Sequence, residues 1–271
     1  MSQINKAKFM SKFQIVLSSL FIAILFGCSS DPIVLEWNFE NIDEINYSYS
    51  QYSKATQTLE DREKVNEFLI SSDLALVVQE NGNADLELRN IVSKMWIPGF
   101  EDTVTNTAEN QPLARGLQSN GKAMNPSDQG SDIFEFFFVL PDSLLEEGQT
   151  TGRTIKFPYN TTSGVFFVEG VQQISFKEYK KIDNRNIAVL ESSIFANHLE
   201  IPESMAREHE CIVTGKTTFH FDTKNRYFTS GNIDLNVHVT THNFLPEGKS
   251  TSKIDSQVHY EVKLKEVLKK N

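Results

Sequence analysis

Residues 211–239 read CIVTGKTTFHF-DTKN-RYFTSGNIDLNVHV, and this stretch decides the fold class. Apolar and polar side chains alternate on both sides of the polar segment DTKN. A period of two is typical of a β-strand with one buried face, and a short polar segment between two such runs is typical of a hairpin turn. The stretch therefore predicts two antiparallel strands joined by a turn.

The same pattern extends through most of the chain. Residues 74–92 carry an Asn-Gly turn between two alternating runs, and residues 171–195 carry a polar turn. Asn-Gly between alternating runs is a strong hairpin signal. Residues 33–49 and 256–267 alternate as well. We therefore predict a mainly β fold, with antiparallel sheets that form a sandwich, a curved half-barrel or an open barrel.

Signals for other structure are few. Residues 58–68 (TLEDREKVNEF) start with a candidate N-cap, Thr58, and residues 201–210 (IPESMAREHE) are long enough for one or two helical turns. These segments predict one or two short helices. Residues 99–132 show no sustained periodicity and are rich in Asn, Gly, Ser and Asp. They predict a long polar loop, either mobile or bound to a ligand or partner.

The N-terminus has the pattern of a secretory signal. Lys6, Lys8 and Lys12 precede a run of about twelve mostly apolar residues, which is too short to span a bilayer, because spanning needs about 20. The run ends at Leu25-Phe26-Gly27-Cys28, which resembles the lipobox of bacterial lipoproteins. That resemblance implies cleavage before Cys28 and attachment of a diacylglycerol and a palmitate-type acyl chain to this cysteine. An ordinary signal peptide and an uncleaved anchor are the alternatives.

The lipobox divides the chain into three parts. We predict a signal peptide at 1–27, a lipid anchor with a short tether at 28–32, and a β-rich domain at 33–271. Two or three acyl chains make membrane attachment effectively permanent. In some bacteria an aspartate directly after the cysteine disfavours export, whereas serines follow Cys28 here. This favours the bacterial outer membrane, facing either the periplasm or the cell surface.

The charge excludes one class of partner. The net charge is −10, and loss of the three lysines in residues 1–27 changes it to −13. This balance argues against binding nucleic acid, and against membrane binding through the overall surface field. The predicted attachment to the membrane is therefore the lipid itself. An envelope protein and an apolar ligand remain as candidate partners.

Three stretches of the second half carry a further resemblance. They are FVLPDSLLEEGQTTGRTIKF at 138–157, FKEYKKIDNRNIAVLESSI at 176–194 and GKTTFHFDTKNRYFTSGNIDLNVHV at 215–239. Together they resemble a family of uncharacterised, mainly β bacterial lipoproteins, over about residues 133–265. Residues 153–157 lack the tryptophan expected after the glycine turn. The resemblance implies a fold and a location, and it brings no catalytic residue or cofactor.

The spacing of the histidines and of Cys211 does not predict that they come together around a metal ion. His238 and His242 are four residues apart, which on a strand is about 13 Å. A simple register of the 211–239 hairpin places His209 opposite His238, with Cys211 on the same side as His209. Such a trio would suit a soft metal, but one bulge breaks the register. Cys211 also suits a small buried apolar position. We therefore predict no metal site and no cofactor.

Paired phenylalanines and two short triplets are the remaining candidates. Phe136, Phe137 and Phe138, and likewise Phe166 and Phe167, interrupt the alternation, so that neighbouring rings should point to opposite faces. These phenylalanines predict an apolar groove covered by a second sheet, a partner or a bound lipid. Asp-Thr-Val around Thr103 and Asp-Ser-Leu around Ser143 resemble bacterial O-glycosylation acceptors, and the second also suits a turn after proline.

The sequence favours a lipoprotein with a binding or structural role in the cell envelope over an enzyme. The alternative is a periplasmic carrier or sensor of an apolar ligand in a Phe-lined cleft, and a hydrolase comes third. An enclosed apolar cavity would indicate a carrier. An exposed apolar patch would indicate a partner-binding module. Converging polar groups with perturbed pKa values would indicate an enzyme.

Overall fold

The structure is a computed structural model that describes ten segments of the chain: 35–60, 62–96, 99, 103–126, 138, 140–141, 144–161, 164–201, 209–245 and 248–270. The chain divides into two compact units, Met1–Pro32 and Ile33–Asn271, and every described residue belongs to the second. The predicted signal peptide, Cys28 and the tether therefore lie outside the described residues. Within the described segments, no helix has the length and apolar character needed to cross a membrane.

The described chain is built from strands that join in one antiparallel sheet, which confirms the mainly β prediction. Twelve strands follow in the order β6-β5-β3-β2-β1-β12-β11-β10-β9-β8-β7, with β4 paired to β3. Their bounds are β1 Ile42–Leu59, β2 Arg62–Val78, β3 Ala84–Trp96, β4 Val104–Ala108, β5 Gln111–Leu117, β6 Asn125–Pro126, β7 Thr150–Thr161, β8 Gly164–Ile182, β9 Arg185–Glu200, β10 His209–Asp222, β11 Tyr227–Leu245 and β12 Gly248–Lys269.

The sheet is strongly curved. Trp37 N–H donates to Ser119 O at 2.7 Å, and the next residue, Asn38, donates its N–H to Arg226 O at 2.9 Å. Ser119 follows β5 and Arg226 precedes β11, which are five strands apart in the sheet. Five spacings would be about 24 Å on a flat sheet. The sheet must therefore curl to bring these two turns together, and the described strands form one sheet and not the two of a sandwich.

The two ends of the strands differ, and we name them by their turns. The base holds the turns at 40–41, 79–83, 183–184 and 223–226. The distal end holds the β1–β2 turn at Glu60 and the end of β9 at Glu200. The 22 residues of β12 reach about 70 Å at 3.3 Å per residue, so the two ends are far apart.

The inner face of the sheet forms a dry aromatic core at the base. The Trp37 ring lies 5.3 Å from Phe138 and 5.2 Å from Phe228 between centroids, and Phe138 lies 5.1 Å from Tyr47. All four side chains are at most 2% exposed. Tyr47 donates its hydroxyl to Phe228 O at 2.9 Å, and burial raises the pKa of Tyr47 well above its usual value.

The segment 35–39, here called the plug, fills the curled base. Leu35, Trp37 and Phe39 are buried, whereas the two residues between them are half-buried. The predicted alternation is therefore present in this segment, but the segment is extended chain rather than a strand of the sheet. Its apolar side chains cover inner-face residues that the curled sheet alone would leave open.

The prediction of a helix at 58–68 is wrong. Strands β1 and β2 pair through this segment, with Thr56 opposite Val65 and Thr58 opposite Glu63, and Glu60 makes the turn with φ of 54°. Cross-strand pairing outweighs the local capping pattern here. Most of the second predicted helix, 202–208, lies outside the described residues, and His209 and Glu210 begin β10.

The segment predicted as a long polar loop, 99–132, also contains regular structure. β4, β5 and β6 lie within it, and Leu113 and Leu117 of β5 are fully buried. Proline at 112 and a glycine at 116 with φ of 67° interrupt the alternation, which hides these short strands from a periodicity argument. Residues 100–102 and 127–132 lie outside the described residues.

Candidate apolar binding site

The inner face changes character toward the distal end. Apolar side chains there pack against the core but keep part of their surface exposed. We call this surface the distal trough, and it is formed by Ile70, Phe157, Leu199, Val237, Ile254 and Val258. The same alternation that builds the base core places these side chains on the inner face. Half-buried aliphatic side chains offer apolar area that a ligand would remove from water.

A row of buried polar side chains separates the trough from the base on β7 to β10. Arg153 donates Nε–H to Gln172 Oε1 at 2.9 Å, Gln172 donates Nε2–H to Ser192 Oγ at 2.8 Å, and Ser192 Oγ lies 2.6 Å from Thr217 Oγ1. We call this row the polar belt. Gln172, Ser192 and Thr217 are at most 8% exposed. Mutual hydrogen bonds compensate their burial, which would otherwise be costly.

The polar belt does not have the composition of a catalytic centre. Activation of a serine hydroxyl as a nucleophile needs an adjacent base. The partners of Ser192 within the described segments are an amide and a hydroxyl, Gln172 and Thr217. Neither accepts a proton near neutral pH. The belt is therefore better explained as the polar floor of the trough than as a hydrolytic site.

The sheet opens beside the trough, where β9 and β10 separate. Their pairing ends at Ala196 and Val213, although β9 continues along β8 to Glu200 and β10 continues along β11 from His209. The gap is an open cleft of about 310 Å³. Its lining mixes apolar and polar side chains: Asn197, Leu199, Ile201, His209, Glu210, Cys211 and Ile212. Because Leu199 and Cys211 also belong to the inner face, the cleft leads toward the trough.

Cys211 is a core residue of this region. Its side chain is 3% exposed, and burial raises the pKa of the thiol to about 11. A thiol with a raised pKa in an apolar site is a poor nucleophile and a poor metal ligand. The interpretation of Cys211 as a small buried apolar side chain is confirmed.

The histidines do not assemble around Cys211. The β10–β11 turn pairs Phe221 with Phe228, two residues beyond its partner in the simple register, and the bulge between His220 and Phe221 adds one more residue. His209 therefore pairs with Thr241 and not with His238. His238 lies on the outer face, where its Nδ1 meets Asp255, and His242 Nδ1 lies 3.1 Å from Thr251 Oγ1. Across the described residues, no group of three or more His, Cys, Asp or Glu side chains is placed to hold a metal ion.

The predicted phenylalanine groove is placed only in part. Phe138 belongs to the base core, so it is not part of a groove. Phe166 is half-buried and lies two residues from buried Val168, on the inner face, whereas Phe167 is 38% exposed on the outer face. The two neighbouring rings therefore point to opposite faces, as predicted. Phe136 and Phe137 lie outside the described residues.

The structure describes only one of the two positions that resemble O-glycosylation acceptors. Thr103 is half-buried directly before β4, and Ser143 lies outside the described residues.

Sequence reasoning missed the trough and the polar belt. A usable signal was present for the belt, because Gln172 and Ser192 occupy inward positions in strands whose other inward residues are apolar. No comparable signal marks the trough, because its residues look like ordinary core positions.

A second groove lies on the outer face, over β10 to β12. It has a volume of about 410 Å³, and its polar lining comes from His220, Ser230, Asn232, His259, Glu261 and Lys263. Burial, with a smaller contribution from Lys180, lowers the pKa of His220, whose Nδ1 lies 2.8 Å from Ser230 Oγ. His259 of this lining pairs across strands with Asp234 at 2.7 Å, as on an ordinary solvated face.

Comparison with known proteins assigns no family. No family model matches the chain, and no curated protein matches it. Among solved structures, a lipovitellin structure described by its lipid–protein interactions is 11% identical with a TM-score of 0.44, and the match covers 86% of this chain and 26% of that one. Two mutant porins of Rh. blastica are 9% identical with TM-scores of 0.20, and these matches cover 80% of this chain and 99% of theirs. The chain thus spans about a quarter of lipovitellin, and scores this low support no functional argument.

Proposed function

We propose that the protein binds an apolar, chain-like ligand, such as a fatty acyl chain, along the distal trough. One observation carries this proposal: six half-buried apolar side chains lie on the inner face of the distal half, beside fully buried neighbours such as Val168 and Val213. Burying a methylene stabilises by about 0.8 kcal/mol, so several methylenes are enough to offset part of the cost of association. The open β9–β10 cleft supplies a route to the trough.

The dimensions of the trough favour a chain over a compact ligand. Ile254 and Val258 lie four residues apart on β12, about 13 Å, and Val237 lies beside them on β11. The polar belt at the base side of the trough suits a polar group at one end of such a ligand. The described grooves are open and mixed in character, unlike the enclosed cavity expected of a carrier. We therefore favour a binding role in an open trough over catalysis.

The ligand-binding proposal is tested with a matched pair of variants of the full mature chain. The probe is a fluorescent polyene fatty acid, whose emission rises in an apolar site, with palmitate as competitor. Val258→Gln places an amide in the trough and should weaken binding at least tenfold. Val171→Gln makes the same change on the outer face, where the side chain is 49% exposed, and should leave binding unchanged. Equal affinities for wild type and Val258→Gln would exclude the trough.

We also propose that the protein is a lipoprotein anchored through Cys28, with the bacterial outer membrane as its location. The support is the signal-like N-terminus and the lipobox-like sequence. Cys28→Ser should abolish labelling by a radioactive fatty acid and leave the precursor uncleaved. Cys211→Ser is the control, because this buried thiol should not carry the lipid. Labelled, processed Cys28→Ser protein would reject the anchor.

A further inference from the structure

Three separate segments bring basic side chains to the base. Residues 180–186 and 222–226 together contain five Lys or Arg and two Asp, and β12 ends in Lys269 and Lys270. The exposed lysines of these segments are Lys180, Lys181, Lys224, Lys269 and Lys270. One of the two aspartates, Asp222, is fully buried, where it accepts the backbone N–H groups of Lys224 and Asn225. These three segments therefore carry a local excess of positive charge in a chain of net charge −10.

Backbone hydrogen bonds hold these segments together. Thr223 N–H donates to Asn186 O at 3.0 Å, which joins the two basic turns. Asn38 N–H donates to Arg226 O, and Lys270 N–H donates to Asn41 O at 3.1 Å, so the C-terminal lysines and the second turn both bind residues 38–41. Glu36 pairs with Arg226 and Glu178 pairs with Lys180, each at 2.7 Å, so the other exposed lysines supply most of the positive charge of this surface. We call these five lysines the basal lysine surface.

Two exposed aliphatic side chains lie within the basal lysine surface. Ile182 is 38% exposed beside Lys181, and Leu268 is 44% exposed beside Lys269. Lysines that flank an exposed aliphatic side chain match the boundary between lipid headgroups and acyl chains, where cations meet phosphate and apolar groups leave water. From this arrangement we propose that the base is a docking surface for a bilayer of anionic phospholipids, and that the distal trough points away from the membrane.

The length of the preceding chain agrees with this orientation, a step that rests on the proposed lipidation of Cys28. Leu35, the first residue of the plug, comes seven positions after Cys28, and this length of chain reaches at most about 25 Å. The strands are much longer than that, about 60 Å for the 18 residues of β1. With the strands upright on the membrane, a lipid on Cys28 therefore cannot hold the distal end at the bilayer while the plug stays in the base.

Fluorescence quenching tests the orientation directly. The lipidated full-length protein is placed in phosphatidylglycerol-containing vesicles that carry a nitroxide-labelled headgroup lipid. A fluorophore is attached through Lys181→Cys at the base or through Lys64→Cys near the distal end, both at exposed positions. Buried Cys211 should react little. We expect at least a threefold stronger quenching at residue 181 than at residue 64, whereas equal or reversed quenching would overturn the proposal.

Charge reversal separates docking from anchoring and from ligand binding. Lys180→Glu/Lys181→Glu/Lys224→Glu, labelled through Asn186→Cys, should lose most of the quenching in anionic vesicles. The matched distal triple Lys54→Glu/Lys64→Glu/Lys253→Glu with the same label should keep it. Full quenching of the basal triple would refute the basal lysine surface. Vesicle flotation measures whether the lipid on Cys28 holds the protein on the vesicles. Loss of flotation would overturn both the proposed anchor and this orientation. The fatty-acid assay should be unchanged in both triples.

Discussion

The base and the distal half of the sheet share one alternation pattern but differ in what covers the inner face. At the base, Trp37, Phe138 and Phe228 pack ring against ring and are almost completely buried. In the distal half, Val237 and Val258 occupy equivalent inward positions and remain half-buried. The difference shows that a period of two determines which side chains point to the inner face. Whether those side chains are covered depends on the curling of the sheet and on the plug.

The largest expected difference between the two regions is in stability. Trp37→Ala should lower the free energy of unfolding by about 3–5 kcal/mol, because it leaves a cavity among the aromatic rings of the base. Phe157→Ala in the trough should cost under about 2 kcal/mol, because part of this ring is already in contact with water. Chemical unfolding of the full mature chain measures both values.

Equal losses for Trp37→Ala and Phe157→Ala would break the comparison. They would mean that the distal half is packed as tightly as the base, which leaves no open apolar surface for a ligand. A saturating fatty acid serves as a second readout. It should raise the stability of wild type and of Trp37→Ala by the same amount, since the ligand does not contact the base.

Sequence reasoning predicted the local pairings better than the long-range arrangement. The turn after 74–78 and the turns at 183–184 and 222–226 lie where the pattern placed them, because Asn-Gly and similar polar pairs adopt positive φ easily. Asp183 and Asn184 both have positive φ. The curvature could not be predicted, because it depends on contacts between residues such as Asn38 and Arg226 that are far apart in the sequence.

The site was less predictable than the fold for a related reason. Register decides which side chains meet, and the turn at 223–226 together with the bulge next to His220 placed Thr241, and not His238, opposite His209. Phe138 has an apolar sequence context that suits a groove, but its ring packs against Trp37, Tyr47 and Phe228 in the base core. Whether an inward residue lines a core or an open trough depends on distant covering segments, which alternation does not report.

A medium effect is expected at the polar belt, the boundary between the two regions. Ser192→Ala should cost about 1–3 kcal/mol, because it removes a partner from both Gln172 and Thr217, which stay buried. Ser175→Ala is the matched control, since its hydroxyl meets Thr150 at 2.8 Å on an exposed site and its loss should cost under about 0.5 kcal/mol. Similar costs for the two serines would mean that water already reaches the belt.

The smallest expected effect concerns Cys211, next to the β9–β10 cleft. Cys211→Ala should lower the free energy of unfolding by about 1 kcal/mol or less at neutral pH, because the side chain is small and the β9–β10 cleft lies beside it.

This difference should depend on pH. The pKa of the folded thiol, about 11, lies above the ordinary thiol value, so the contribution of the thiol to stability is complete at low pH. That contribution falls as the pH rises from about 8.5, the ordinary thiol pKa, toward the folded pKa. The stability difference between wild type and Cys211→Ala should therefore shrink and then reverse in sign between these limits, as measured by urea unfolding at several pH values. A difference that stays constant with pH would mean that solvent already surrounds the folded thiol, and that the cleft extends deeper into the inner face than the buried position of Cys211 indicates.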